Sequence, residues 1–182
     1  MTYPAEWETI FTAKNGQTFR FRPEKAGDTE MLWTMFSTLS EASISNLIPP
    51  FTRERIDGWT SNINYNELLA IVVVTKEKNK TRIVATASLK FNTQEVFKHK
   101  AELGITVHDD YQNLGIGTAL LKHMLNIARK MKLKKVHLTV NVKNTRATYL
   151  YKKVGFEIEG TLREEMCLKN EFLDEFRMAF FL

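Results

Sequence analysis

The stretch YQNLGIGTALLKHML, Tyr111 to Leu125, sets Gly115 and Gly117 at the head of an apolar pattern of helical period, directly after the strand-like run AELGITVH. The first N–H groups of a helix have no intrahelical acceptor, and the helix dipole adds partial positive charge, so such a start favours a phosphate. Glycine at both positions would let the backbone approach that anion closely. The plainer readings are that Gly115 ends a turn and Gly117 lets the helix pack tightly. Two phosphate-loop patterns fail on the residues present. A Walker loop ends in Gly-Lys-Ser/Thr, whereas Gly117 is followed by Thr118 and Ala119. A dinucleotide fingerprint needs a third glycine where Leu120 stands and an acidic residue at the end of the next strand, where Val140 and Asn141 stand.

Other residue types that could do chemistry carry weaker signals. His99, His123 and His137 lack metal-ligand spacing, so no metal site is expected. His108 follows the strand and titrates in a useful range, although a loop histidine is ordinarily just solvated. Cys167 is the single cysteine, which excludes an intramolecular disulfide; with no motif around it, it reads as a small packed residue.

The elements that must position the glycine loop follow from periodicity. WETIFTAKNGQTFRFRP reads as a β-hairpin, with Asn15 and Gly16 supplying the positive φ angles of a tight primed turn and the second strand running from Thr18 to Arg22. Asp28 is placed to cap a helix carrying Met31, Leu32, Met35, Phe36 and Leu39, and Pro49 and Pro50 break regularity before Thr52 caps a second. LLAIVVVT and TRIVATASLKFN form an antiparallel pair across the charged turn KEKNK. After the strand AELGITV comes a helix of about four turns with Ile116, Ala119, Leu120, His123, Met124, Ile127, Ala128 and Met131 on one face. KKVHLTV alternates Val136, Leu138 and Val140 inward, Asn144 or Thr145 caps a short helix that Gly155 stops, and two strands close the chain. The order predicts an α/β (α+β) fold with a mixed, mostly antiparallel central sheet of about seven strands and about four helices.

The chain has 182 residues, 43% of them hydrophobic, enough for one domain with its own core. A net charge of +5 is mildly basic, which suits a polyanionic ligand or plain solubility. The basic run ARKMKLKK has no exposed aromatics interleaved with it, which argues against nucleic acid and for the end of a solvated helix. No stretch has the apolar core of a signal peptide or the length of a bilayer span, so the expected location is cytoplasmic.

Gln112, Asn113, Leu114, Gly115, Ile116 and Gly117 also meet the pattern Gln/Arg-x-x-Gly-x-Gly/Ala, which resembles the acetyl-CoA loop of the GNAT N-acetyltransferase superfamily. The likeness extends along NVKNTRATYLYKKVGFEIEGTLRE, where Asn144, Ala147, Leu150, Tyr151, Lys153, Gly155 and Phe156 fall on the family's pattern N..A..LY.K.GF. It covers about residues 70–182 and implies a single GNAT-like domain, with 1–17 as an N-terminal hairpin extension. It further implies acetyl-CoA as cofactor, with main-chain N–H groups from Gln112 to Thr118 around the diphosphate and with Asn144, Ala147, Tyr151 and Lys153 beside it. Ile105, Thr106 and Val107 would offer a strand edge to the cofactor's pantetheine arm, and a bulge in that strand would aim an N–H at the thioester oxygen.

By the same resemblance Tyr151 is the candidate acid for the leaving thiolate, whereas Tyr149 lies roughly 200° around the helix. Glu102 is the candidate base, acting directly or through water; otherwise it is a solvated strand-end charge. Asn144 has a parallel reading as a plain helix cap. The implied reaction is acetyl transfer to a primary amine by direct attack in a ternary complex, with a small-molecule amine, polyamine, amino acid or protein amine as acceptor. The alternative is a non-catalytic acyl-CoA sensor. Phe36, Phe51, Trp59 and Tyr65 are available to shape an acceptor pocket, and Glu41, Glu54 and Asp57 to attract a cation. A homodimer is compatible with the sequence.

Overall fold

In the computed structural model, which describes residues 2–48, 50–77 and 80–182, eight strands form one sheet in the order β1-β2-β3-β4-β5-β6-β8-β7. The strands are β1 (Thr9–Thr12), β2 (Thr18–Pro23), β3 (Leu68–Glu77), β4 (Lys80–Phe91), β5 (Lys100–Val107), β6 (Lys135–Asn141), β7 (Glu157–Leu168) and β8 (Glu171–Phe181). The helices are α1 (Thr29–Ser37), α2 (Glu41–Ile44), α3 (Arg53–Ser61), α4 (Ile116–Lys130) and α5 (Thr145–Val154). All neighbouring strands pair antiparallel except β5 and β6, which α4 connects. The expected class is borne out, with one strand and one helix more than expected.

The two faces of the sheet bury separate cores. On one face α4 and α5 cover Phe19, Phe21, Ile71, Val73, Leu89, Leu103, Val136 and Leu138. On the other, Leu32, Met35, Phe36 and Ile56 of α1 and α3 cover Val72, Val74 and Ile83. Two-sided burial explains why LLAIVVVT reads as a continuous apolar run.

Several local expectations change. The first hairpin is not a primed turn: only Gly16 has positive φ, +82°, and Gly16 N–H donates to Ala13 O while Ala13 N–H donates to Gln17 O. That is the three-residue loop closed by a left-handed glycine. Asp28 precedes α1 without capping it, because its carboxylate accepts two 2.7 Å bonds from Arg22 and one from Lys25 N–H. Thr52 caps α3 as expected, accepting from Arg55 N–H. Of the proposed breaks, Pro50 lies between α2 and α3, and Pro49 lies outside the described residues, as do Lys78 and Asn79 of the charged turn. Cys167 is exposed on β7 rather than packed.

Candidate functional site

The glycine loop leaves β5 through a short 3-10 turn, Asp109–Tyr111, and enters α4 at Ile116. Asn113 (φ +63°) and Gly115 (φ +84°) both adopt the left-handed conformation, which turns successive N–H groups toward one side. No protein acceptor among the described residues takes the N–H groups of Asn113, Leu114, Gly115, Ile116, Gly117 or Thr118; the first intrahelical bond is Ala119 N–H to Gly115 O. These are the kind of donors an anion needs. The N–H of Gln112 is excepted, since it bonds Asp109 O. The glycines have other duties. Gly115 supplies the left-handed φ, and a Cβ on Gly117 would meet Leu150 of α5 at 3.3 Å, so Gly117 lets α4 and α5 close together.

Beside the loop the sheet divides. β5 and β6 pair only through Lys100↔Lys135, Ala101↔Val136 and Glu102↔His137; past that point β5 runs on to Val107 without β6. His108 N–H donates to Val84 O of β4, so by alternation the backbone groups of Ile105 and Val107 face the gap while those of Thr106 face β4. Ile105 and Val107 therefore furnish the expected strand edge and Thr106 does not. The register of β4 with β5 is unbroken, so the bulge expected in this strand is absent; the sheet's irregularities lie in β4, where Val84 is the extra residue opposite Val73 and Val74 of β3, and in β7.

Tyr151 enters from α5 on the face covered by α4. It is 8% exposed, its ring packs on Phe156 at 5.7 Å, and its hydroxyl has no protein hydrogen-bond partner among the described residues. Burial pushes its phenol up to about 12, so it holds its proton throughout the neutral range. Glu102 projects from the opposite face of β5, exposed, at the last position that pairs with β6. Its partner His137 is half-buried, and desolvation lowers its pKa although the charge of Glu102 opposes this. The acid and base candidates thus lie on opposite faces of the sheet. Tyr149 is exposed and outside it.

Asn144 caps α5 by accepting Ala147 N–H at 3.1 Å, so its plain reading holds, and its side-chain amide donors remain available. Ala147 stands in the first turn beside it. Lys153 does not join the site: it is exposed at the other end of α5, roughly 13 Å of helix rise from Asn144. The run ARKMKLKK ends α4 at its far end from the loop, with Arg129 over Phe180 and Lys130 over Trp7.

Two residues that reasoning from the sequence missed hold the loop in shape. Arg146, in the first turn of α5, donates to Gln112 Oε1 and, at 2.9 Å, to Asn113 Oδ1. Asp109 binds the loop's other side to α2, as described below. Only the side-chain spacing in three dimensions reveals either one. An open cleft of ≈ 350 Å³ borders the site between α2, the start of α5 and the β7–β8 hairpin, with Ser45, Asn46, Asn141, Lys143, Asn144 and Arg146 among its walls. A larger cleft, lined by Glu30, Met31 and Thr34 of α1, Glu77 of β3 and the first residues of β4, does not include the loop. The residues expected to shape an acceptor pocket are engaged elsewhere. Phe36, Phe51 and Trp59 stack on one another under Arg55, and Tyr65 donates to Glu24 O. Glu41 pairs with Lys169 and Asp57 with Arg53, while Glu54 is exposed.

The chain matches the sequence profile of the Acetyltransferase (GNAT) family over residues 32–156. It is 37% identical over 82 residues to the L-amino acid N-acetyltransferase AaaT of Escherichia coli K12, a stretch that is 44% of this chain and 51% of that protein. It is 30% identical over 83 residues to spermidine N(1)-acetyltransferase of the same organism, 45% of each. The chain thus spans about half the length of the curated relatives it matches. A solved structure, the ribosomal-protein-S5-alanine acetyltransferase from Vibrio fischeri, shares the fold with TM-score 0.81 at 18% identity, covering 95% of this chain and 96% of that one.

Proposed function

The chain belongs to the GNAT acetyltransferase family, whose members use acetyl-CoA, and we propose that it moves the acetyl group of acetyl-CoA to a primary amine by direct attack in a ternary complex. The observation that carries this reading is the run of six main-chain donors without protein acceptors among the described residues, on the loop that follows a strand which β6 leaves after Glu102↔His137. The chain reads as one catalytic domain, in which the N-terminal hairpin extends the sheet.

Bound acetyl-CoA supplies the thioester carbon that the amine attacks. The N–H groups of Asn113 to Thr118 neutralise a diphosphate with preorganised dipoles, which need no reorientation on binding. Ile105 and Val107 pair with an amide-bearing arm as an added strand would. Glu102 would take a proton from the acceptor's ammonium, directly or through water, on the face away from α4, so that the neutral amine attacks. Tyr151, protonated throughout the neutral range, would give its proton to the departing sulfur as thiolate charge develops. Asn144 keeps its amide hydrogens for the cofactor, and Arg146 holds Gln112 and Asn113 in register.

The relatives' acceptors differ: L-amino acids, spermidine and a ribosomal-protein alanine. The acceptor here is drawn from those classes, small-molecule or protein amine. A panel containing L-amino acids, spermidine and an alanine-initiated peptide, read by release of free CoA, tests the proposal. Release of CoA dependent on one class of amine is the expected result. Thermal stabilisation by acetyl-CoA with no CoA released for any amine would instead favour a sensor that keeps the cleft without turnover.

A further inference from the structure

The turn that leads into the cofactor loop is fastened to a helix on the acceptor side. Asp109 accepts three short hydrogen bonds across the chain: Ser40 N–H at 2.8 Å, Ser40 Oγ–H at 2.8 Å and Ser43 Oγ–H at 2.6 Å. Gln112 Nε2 adds a long fourth at 3.4 Å. Although partial burial works against it, these donors hold the Asp109 carboxyl below the ordinary range. Next to it, His108 Nε2 lies 3.0 Å from Thr38 Oγ1, while His108 Nδ1 accepts Asp110 N–H at 3.3 Å. Since Thr38 Oγ1 donates to Thr34 O, the imidazole carries its proton on Nε2 and gives it to the threonine.

α2 is only four residues long and buries no side chain fully, so helix propensity and core packing hold it weakly. Besides Ile44 packed at the edge of the second core and the exposed Glu41–Lys169 pair, this set of bonds attaches it. Ser45 and Asn46, immediately after it, form one wall of the ≈ 350 Å³ cleft, and Arg146 belongs to the opposite wall. Arg146 in turn holds Gln112 and Asn113 of the loop. The contacts therefore run without a break from one cleft wall, through the cofactor loop and Asp109, to the other wall.

We propose that Asp109 is a positioning residue that couples the two substrate sites: acetyl-CoA on the loop amides fixes residues 108–113, and through Asp109 it fixes α2 and the acceptor wall beyond it. The coupling rests on the acetyl-CoA reading of the loop. By linkage, each ligand then raises the affinity for the other by the same factor. Ligand-free protein keeps a looser α2, because its anchor sits on a loop whose outward N–H groups have no partner.

Hydrogen exchange with acetyl-CoA alone as probe tests this without knowledge of the acceptor. In the wild-type protein, saturating acetyl-CoA should slow exchange in both 112–118 and 38–47, the latter at least ~5-fold, equivalent to about 1 kcal/mol. In Asp109→Asn, and separately in the double variant Ser40→Ala with Ser43→Ala, protection of 112–118 should persist while that of 38–47 disappears. Asp109→Glu should restore part of it. If 38–47 is protected by acetyl-CoA in both variants as in the wild type, the coupling is refuted. Equal loosening of 38–47 with and without acetyl-CoA in the variants, with the ligand-induced difference intact, marks a mere tether and also refutes it. Absence of any protection at 112–118 in the wild type removes the acetyl-CoA reading itself, and the coupling with it.

Discussion

Tyr151 and Glu102 came from a motif and a strand position, and their three-dimensional setting separates their roles. A buried phenol with pKa pushed up to about 12 is an acid only; an exposed carboxylate across the sheet can be a base. Tyr151→Phe should lower kcat by roughly 10²-fold or more while acetyl-CoA affinity, measured by calorimetry, changes less than about 3-fold. Unchanged turnover would remove the phenol from proton transfer. A different residue governs stability. Glu24 is 6% exposed, and burial, aided by Asp28 and opposed by Arg22, pushes its carboxyl up to about 7. Between the ordinary carboxylate value of 4.5 and about 7 the folded state keeps a proton that the unfolded chain has lost, so this group makes stability fall as pH rises through that window. The loss is on the order of 3 kcal/mol at most. Glu24→Gln should therefore melt higher than wild type at pH 8, with the advantage gone near pH 4. Thermal melts at the two pH values check it. Nothing in the sequence marked Glu24, because its burial depends on where β2 meets the neighbouring end of β3, at Glu24 N–H to Ala70 O.

At the scale of elements, the loop and α5 act as one unit. Arg146 crosses from α5 to two loop side chains, and Gly117 gives Leu150 the room that keeps the helices close. Arg146→Ala should weaken acetyl-CoA about 5- to 10-fold by calorimetry while the melting temperature moves by only a few degrees, since the arginine is exposed. An affinity within a factor of two of wild type would show that the clamp contributes nothing to the loop's readiness. The long elements were legible from the chain because their periodicity is strong: Ile116 to Lys130 was delimited within a residue or two, and Asn144 and Gly155 mark the ends of α5 as caps should. α2 was not legible. Four residues carry no period, and Ser40 as its cap looks like any serine in a loop. The hairpin turn was misjudged because Asn-Gly also fits a loop in which only the glycine is left-handed. Asp28 looked like a cap, but a buried Arg22 takes its carboxylate, a long-range pairing that no local pattern encodes.

Over the whole molecule, the sheet owes its one parallel pair to the α4 crossover, and that pair parts after three residues from each strand. The fold class followed from the order of elements, since a strand, helix and strand unit inside an otherwise antiparallel series leaves little else. The gap did not follow, because the register of β5 with β6 is set by helices packed on both strands rather than by either strand alone. The setting of the aromatic residues was not legible for a similar reason: Phe36, Phe51 and Trp59 pack together at the second core, while polar residues near α2, α5 and the last hairpin line an open cleft. No helix is long and apolar enough to cross a membrane among the described residues. The most direct test is a crystal structure of the protein soaked with acetyl-CoA. Diphosphate oxygens within hydrogen-bond reach of the main-chain N–H groups between Asn113 and Thr118, with the thioester in the gap between β5 and β6 beside the Tyr151 hydroxyl, is the outcome predicted. Acetyl-CoA bound elsewhere, or a gap closed by side chains with the loop amides untouched, would contradict the account.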